Sequence, residues 1–172
     1  MSSTPSRPRT AAAITVSNRS SDGRREDTSG RLLAEALRTA GFEVDGPTVV
    51  PDGVESVATV LREKVRAGHR LVVTTGGTGM GPQDLTPEGT LQVITRENPG
   101  LAELIRREGA RHTPFAAVSR GVVGVVDWPE EQGSGGTLVV NLPGRPSAVT
   151  EGMEVVVPLL GHVLDQICGG DH

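Results

Sequence analysis

RLVVTTGGTGMGPQDLTPEGT, residues 70–90, sets a short apolar run against the densest glycine stretch in the chain. An apolar run without polar alternation, here 69–75, is the pattern of a central strand covered on both faces, as in a parallel sheet. Thr86 as a cap and Pro87 in the first turn then predict a helix start. Strand, glycine loop and helix follow one another, and the fold turns on whether neighbouring segments repeat that order.

They do. TAAAITV (10–16) reads as a strand that ends at Ser17, where the polar loop SNRSSDGRREDTSG begins. From residue 29 onward Leu32, Leu33, Ala36, Leu37 and Ala40 recur at helical spacing until Gly41 stops them. FEVDGPTVV (42–50) is a second strand candidate, interrupted by Gly46 and Pro47. Val54, Val57, Ala58, Leu61 and Val65 give the next helix one apolar face, with Asp52 at the expected cap and Glu55 three residues later. Further on, 98–112 predicts a helix with Leu101, Leu104 and Ile105 inward. SRGVVGVV (119–126) and GTLVVNLPG (136–144) are β-like runs joined by an exposed hairpin connection, DWPEEQGSGG. The last helix, 147–168, carries Val155, Val156, Val157, Leu159 and Leu160, so it is expected to be buried in the domain or against another subunit, with Pro158 kinking it or limiting its first half. Alternating strands and helices predict an α/β fold with a mostly parallel sheet. One domain over 10–172 follows a polar arm, 1–9, expected to be disordered.

Composition narrows the partners. With two Phe, one Trp and no Tyr in 172 residues, the core must be aliphatic, and there are too few rings for a base-stacking platform. A net charge of −4 gives no general attraction to nucleic acid or to an anionic membrane. The single Cys168 allows no internal disulfide, and no signal segment or long apolar span stands out, so the expectation is a cytoplasmic protein.

Several meanings of the glycine loop can be tested by spacing. A dinucleotide fingerprint starting at Gly77 would place its third glycine at Pro82, and a P-loop needs a lysine that the loop lacks. What remains is a set of backbone amides uncovered by Cβ atoms, with the Thr75 and Thr78 hydroxyls as extra donors, suited to a phosphate; the alternative is a tight structural turn. In a parallel sheet, ligands bind beyond the carboxyl ends of the strands, which gathers Ser17, Asp52 and the 74–84 loop at one edge. Asp52 and Asp84 there could hold Mg²⁺ against a nucleotide triphosphate, or could be a helix cap and a turn residue. Asn141, Pro143, Gly144 and Pro146 form another strand-to-helix junction able to present amides to an anion. Arg19, Arg24 and Arg25 either reach substrate phosphates or are plain solvated charge. His69, His112, His162 and His172 show no metal-ligand spacing, Cys168 suits packing, and the hydrolase motif G-x-S-x-G does not occur.

Six ordered motifs carry a resemblance: VSNRS (16–20), DTSGRLLAEALRTAGFEV (27–44), VVPDG (49–53), the 74–90 stretch, VSRGVVGV (118–125) and LVVNLPGRPSAV (138–149). Over about 11–168 the chain resembles the molybdenum-cofactor biosynthesis family that includes bacterial molybdopterin adenylyltransferases of the Mog/MoaB type and the related domain of gephyrin. The resemblance implies a three-layer α/β/α fold of the molybdopterin-binding-domain type, homotrimeric assembly, adenylylation of molybdopterin by Mg-ATP with release of pyrophosphate, and a molybdenum-insertion partner. Position by position, the aspartate closing the GGTG loop falls on Asp84 and the "PD" aspartate on Asp52, both implied to be catalytic and to hold Mg²⁺. The implied substrate pocket takes in Gly76, Gly77, Thr78 and Gly79, Ser119, and Asn141, Pro143 and Gly144, beside Ser17 and Thr75 at the same edge. Gln83 stands where some members carry Arg, and Arg145 where Ser, Gln or Asn is commoner. The competing expectation is a non-catalytic molybdopterin-binding or scaffold trimer.

Overall fold

The computed structural model describes residues 8–170, and most of the expected arm lies outside them. Residue 9 of that arm is already fixed: the Arg9 carbonyl accepts the Glu43 N–H at 2.8 Å, and its guanidinium lies 4.7 Å from the centre of the Phe42 ring.

The elements in chain order are β1 (Thr10–Val16), α1 (Asn18–Ser21), α2 (Thr28–Thr39), β2 (Glu43–Val50), α3 (Val54–Arg66), β3 (Leu71–Thr75), α4 (Thr86–Leu91), β4 (Arg96–Glu97), α5 (Pro99–His112), β5 (Val123–Asp127), β6 (Gly136–Leu142) and α6 (Pro146–Ile167). They build one six-stranded sheet in the order β2-β1-β3-β6-β5-β4. The first four strands of that order run parallel, while β5 is antiparallel to both β6 and β4.

Two-residue periodicity separates the two layers of the core. Ala11, Ala13, Leu71, Val73, Leu138 and Val140 face Leu33 and Leu37 of α2, Ile105 of α5, and Val149, Met153 and Val156 of α6. Their neighbours Ala12, Ile14, Val16, Val72 and Val139 face Val57, Leu61 and Val65 of α3. This is the expected three-layer α/β/α arrangement. Central strand β3 is buried at every residue, as its unbroken apolar run implies. Each fully buried Leu or Val contributes about 1.5–3 kcal/mol, so aliphatic side chains supply most of the driving force, with Phe42 buried in the first layer and Trp128 packed against the second.

Several local expectations change. Leu104 is exposed, and α5 buries Leu101, Ala102 and Ile105 instead. β2 runs continuously through Gly46 and Pro47, with a register shift opposite Ala12 and Ile14; an edge strand tolerates a proline there. Gly53, not Asp52, caps α3. Asp27 caps α2, accepting the Gly30 N–H at 2.9 Å, and Leu85 rather than Thr86 occupies the cap of α4. The hairpin connection is not wholly exposed: the Trp128 indole donates to Thr137 Oγ1 at 2.9 Å, and Gln132 donates to the Val65 carbonyl at 2.9 Å.

Helix α6 passes through Pro158 without ending. Glu154, whose carbonyl loses its helical donor, and Pro158 both lie on the exposed side, where water can take that carbonyl. By length and composition α6 is apolar enough to cross a membrane, contrary to the expectation of no long apolar span. Its stripe Val149, Gly152, Met153, Val156, Leu160 and Leu164 is nevertheless packed into the core with helical spacing, the behaviour of a core helix.

Candidate active site

The connections leaving β1 and β3 lead to opposite faces of the sheet, because α2 lies on one and α3 with α4 on the other. A crevice opens between them at the carboxyl edge. The glycine loop turns through it under tight steric limits. Gly76 has φ of +101°, and a Cβ there would sit 2.2 Å from the Val16 carbonyl oxygen; at Gly77, φ +66°, it would sit 2.3 Å from Thr86 Oγ1. Only glycine meets both the conformation and the space.

The Gly76 amide ties the loop to β6 by donating to the Leu142 carbonyl, and three others close the turn on itself: Gly81 donates to Asp84 Oδ2, Asp84 to the Gly81 carbonyl and Thr86 to the Gly77 carbonyl. The N–H groups of Gly77, Thr78, Gly79 and Met80 have no acceptor among the described residues. Consecutive uncommitted amides in a glycine-rich turn are the kind of donor set that binds anions.

The two aspartates flank that surface. Asp52 is held by a reciprocal pair with Asn18: its Oδ2 accepts the Asn18 N–H at 2.9 Å, and its own N–H donates to Asn18 Oδ1 at 3.0 Å. That pairing is why Asp52 does not cap α3. Its Oδ1 lies against Gly77, 3.2 Å from where a Cβ would be. Asn18 also donates from Nδ2 to Gln83 Oε1 at 2.9 Å, so the loops after β1, β2 and β3 are linked through one asparagine. Asp84 turns back under its own loop, which leaves Oδ1 without a hydrogen-bond partner among the described residues.

Two clefts meet at the loop. One, of about 470 Å³, is lined by Phe115, Val118, Ala148 and Ile105 together with Thr78, Gly79, Ser119 and Pro143. The other, of about 840 Å³, is polar and runs along Ser17, Asn18, Arg19, Arg24, Arg25, Asp52, Thr75 and Gly76. Gly77, Asp84, Gly144 and Arg145 line both. Arg24 is ion-paired with Asp22 at 2.7 Å, on the exposed rim.

Most of the residues expected at the site are thus brought together, with two corrections of role. Asn141 is 2% exposed and lines neither cleft. Its amide is committed to Thr74 Oγ1 and Thr90 Oγ1, both at 3.0 Å, and to the Val122 N–H at 3.1 Å, so it braces β6 from behind the site. The Thr75 hydroxyl gives its proton to the Pro143 carbonyl at 2.9 Å and ties two junctions together rather than pointing a donor outward. Thr78 Oγ1 accepts from Ser119 Oγ at 3.2 Å, which leaves its own proton for another acceptor. Sequence reasoning missed Asn18, Arg120 and Glu88. All three stood inside motifs already singled out, VSNRS (16–20), VSRGVVGV (118–125) and the 74–90 stretch; nothing local showed that Arg120 and Glu88, 32 positions apart, would pair.

Residues 12–162 match the family described as "Probable molybdopterin binding domain". The chain belongs to that family. Its relatives include the molybdenum cofactor biosynthesis bifunctional protein of Chlorobaculum tepidum, 35% identical over 165 residues, which are 96% of this chain and 50% of that protein. This chain therefore spans about half the length of that relative. The molybdopterin adenylyltransferase of Helicobacter pylori J99 is 32% identical over 161 residues, covering 91% of this chain and 86% of the enzyme. The solved structure of the Mog protein from Mycobacterium ulcerans superposes with a TM-score of 0.83 at 41% identity, covering 92% of this chain and 99% of that one.

For a molybdopterin-binding domain, the question of a metal comes down to the donor set. Among the described residues no group of three or more His, Cys, Asp or Glu could hold an ion. Asp52 and Asp84, each with one uncommitted carboxylate oxygen, fit Mg²⁺ that arrives with a substrate. That ion takes one or two carboxylates and completes its shell from phosphate oxygens and water.

Proposed function

We propose that this molybdopterin-binding domain catalyses adenylylation of molybdopterin by Mg-ATP, giving adenylyl-molybdopterin and pyrophosphate. The observation that carries the reading is the wall between the two clefts, where Gly77 and Asp84 line both, Thr78 and Gly79 line the apolar cleft and Asp52 lines the polar one. Two substrates joined through phosphate groups need such a wall, with each body in its own cleft and the reacting phosphates at the seam.

The apolar cleft suits the flat ring of a pterin, and the polar cleft suits a nucleotide tail, with Arg19, Arg25 and Arg145 on its walls. A terminal phosphate oxygen of molybdopterin attacks the α-phosphorus of ATP; that P–O bond forms as the bond to the β-phosphate oxygen breaks, and pyrophosphate departs. The amides of 77–80 donate to the phosphate oxygens where charge is greatest, and they are held in place before substrate arrives. Asp52, fixed by Asn18, and Asp84, fixed by the Gly81 amide, are oriented without substrate present. Asp52 and Asp84 would hold the Mg²⁺ that comes with ATP, which would offset charge on the leaving group.

The same reading carries homotrimeric assembly, a cytoplasmic site of action and a partner that inserts molybdenum. A trough of about 570 Å³ between α2 and α6, lined by Leu32, Ala36, Met153, Val157 and Pro158, offers an apolar surface for a second copy. The deciding experiment incubates the protein with molybdopterin, ATP and Mg²⁺ and measures pyrophosphate and adenylated pterin. Both products are expected. Binding of molybdopterin without pyrophosphate release would favour the non-catalytic carrier or scaffold instead.

A further inference from the structure

Arg120 lines neither cleft, yet it makes three hydrogen bonds to carbonyls of the glycine loop. Its N–H donates to the Thr78 carbonyl at 2.8 Å, Nε to the Gly79 carbonyl at 2.9 Å and Nη2 to the Asp84 carbonyl at 2.5 Å. Nη1 meets Glu88 Oε1 in the first turn of α4, and Nη2 lies 3.4 Å from Glu88 Oε2. The guanidinium therefore spans the Gly79 carbonyl, the Asp84 carbonyl at the end of the loop and the helix that follows, while the backbone N–H of the same residue holds Thr78.

Peptide geometry turns those contacts into a statement about the ligand side. In a trans peptide the C=O and the next N–H point in opposite directions across the plane. With the Thr78 and Gly79 carbonyls aimed at Arg120, the N–H groups of Gly79 and Met80 must aim away from it. They are two of the four amides that lack an acceptor among the described residues. Glycines at 76, 77, 79 and 81 leave this loop free to flip its peptide planes, and a planar fork with several fixed donors is suited to prevent that. We infer that Arg120, oriented by Glu88, is a positioning residue that sets the anion-binding face of the glycine loop and fixes the backbone of Asp84.

The side chain acts through the loop, without touching substrate. Glu88 keeps the fork in plane, and the guanidinium beside it holds the Glu88 carboxyl below its ordinary pKa, so the pair stays charged through the neutral range. A lysine in the same place brings one charge but cannot reach two carbonyls and a carboxylate in one plane.

The inference rests on the adenylylation reading, but its test does not need turnover. Inorganic pyrophosphate with Mg²⁺ is titrated calorimetrically into wild type, Arg120→Met, Arg120→Lys and Glu88→Gln, with ATP turnover measured alongside. Arg120→Met is expected to raise the pyrophosphate Kd at least tenfold at unchanged stoichiometry, Arg120→Lys to recover part of the loss, and Glu88→Gln to change Kd less than threefold. A purely structural role would instead lower the stoichiometry of competent sites and leave Kd alone. In turnover, the loss for Arg120→Met should fall on both KM for ATP and kcat.

A folded Arg120→Met whose Kd stays within twofold of wild type overturns the inference, as does a wild type that binds no pyrophosphate. Should Arg120→Met fail to fold, Arg120→Lys decides, and a wild-type Kd there overturns it equally. If wild type binds pyrophosphate but transfers no AMP, the adenylylation reading fails while the role of Arg120 is still decided by the Kd values.

Discussion

The two edges of the sheet treat polar groups in opposite ways. At the amino-terminal edge they are mostly paired within the fold. The Lys64 ammonium, on a side chain only 7% exposed, meets Asp45 Oδ2 at 2.8 Å, and His69 Nε2 approaches the same oxygen at 3.2 Å. Thr137 donates to the His69 carbonyl at 2.6 Å and Arg70 to the Leu164 carbonyl at 2.8 Å, leaving His69 Nδ1 and Arg70 Nε as the unpartnered buried atoms there. At the carboxyl edge, four consecutive amides and one oxygen of each key aspartate have no partner among the described residues. An edge whose groups satisfy one another contributes to stability. An edge that leaves donors unsatisfied gives up some of that stability to hold a ligand.

That contrast can be broken from either side. The largest effect is expected for Asp84→Asn, which keeps size and fold but removes a charge at the shared wall. AMP transfer should fall on the order of 10²–10³-fold, comparable with the loss of one preorganised electrostatic contact. Its melting temperature should stay close to wild type; transfer at the wild-type rate would show that the role given to Asp84 is wrong.

Asp45→Asn is the matching change at the other edge. It strips the buried Lys64 of its main counter-charge, and the cost to stability is about 1–3 kcal/mol, toward the lower end because Asp45 is itself partly exposed. Denaturant unfolding should record that loss, while adenylylation measured well below the melting temperature should be unchanged. Reduced turnover in a fully folded Asp45→Asn would mean that the two edges are coupled.

The same pair gives a pH dependence with a defined sign. Hydrogen bonding to Lys64 holds the Asp45 carboxyl below its ordinary pKa. Its contribution is therefore complete above the ordinary carboxylate range and is lost as pH falls through the depressed value. Burial opposes the Lys64 charge, but hydrogen bonding and attraction to Asp45 together raise its pKa, so its contribution is lost only as pH rises beyond the ordinary lysine range. The stability gap between wild type and Asp45→Asn should be flat through neutral pH and close in acid. A gap that widened in acid would contradict the assignment.

The smallest effect belongs to Gln83→Ala, which removes an exposed amide contact to Asn18. Stability should change by less than about 0.5 kcal/mol, as for most surface substitutions. KM for ATP is expected to rise by no more than a few-fold, read from initial rates, because Asn18 keeps both of its bonds to Asp52. A larger rise would promote Gln83 from a link between loops to a binding residue.

How much of this was legible in the chain depends on how local the cause is. The period-2 and helical patterns placed the main strands and helices, since burial on one or both faces writes itself into consecutive residues. The glycine loop announced an unusual backbone for the same reason. The two-residue strand β4 left no such trace, and neither did the true caps at Asp27 and Gly53. Asn141 sat in a recognisable motif, but its type and spacing could not show that three buried partners use up its amide.

By itself, then, the sequence determined the layered α/β architecture, the edge at which the site lies, and the run of glycines that a Cβ would have blocked. Tertiary structure alone decided which polar atoms were already committed. Asp52 was claimed by Asn18, 34 positions away, and the loop carbonyls by Arg120, up to 42 positions away. Hydrophobic patterning is a sum over neighbours and survives in the linear order. A hydrogen bond depends on one distance and one angle between groups, and chain folding sets those only once the sheet has brought its loops together.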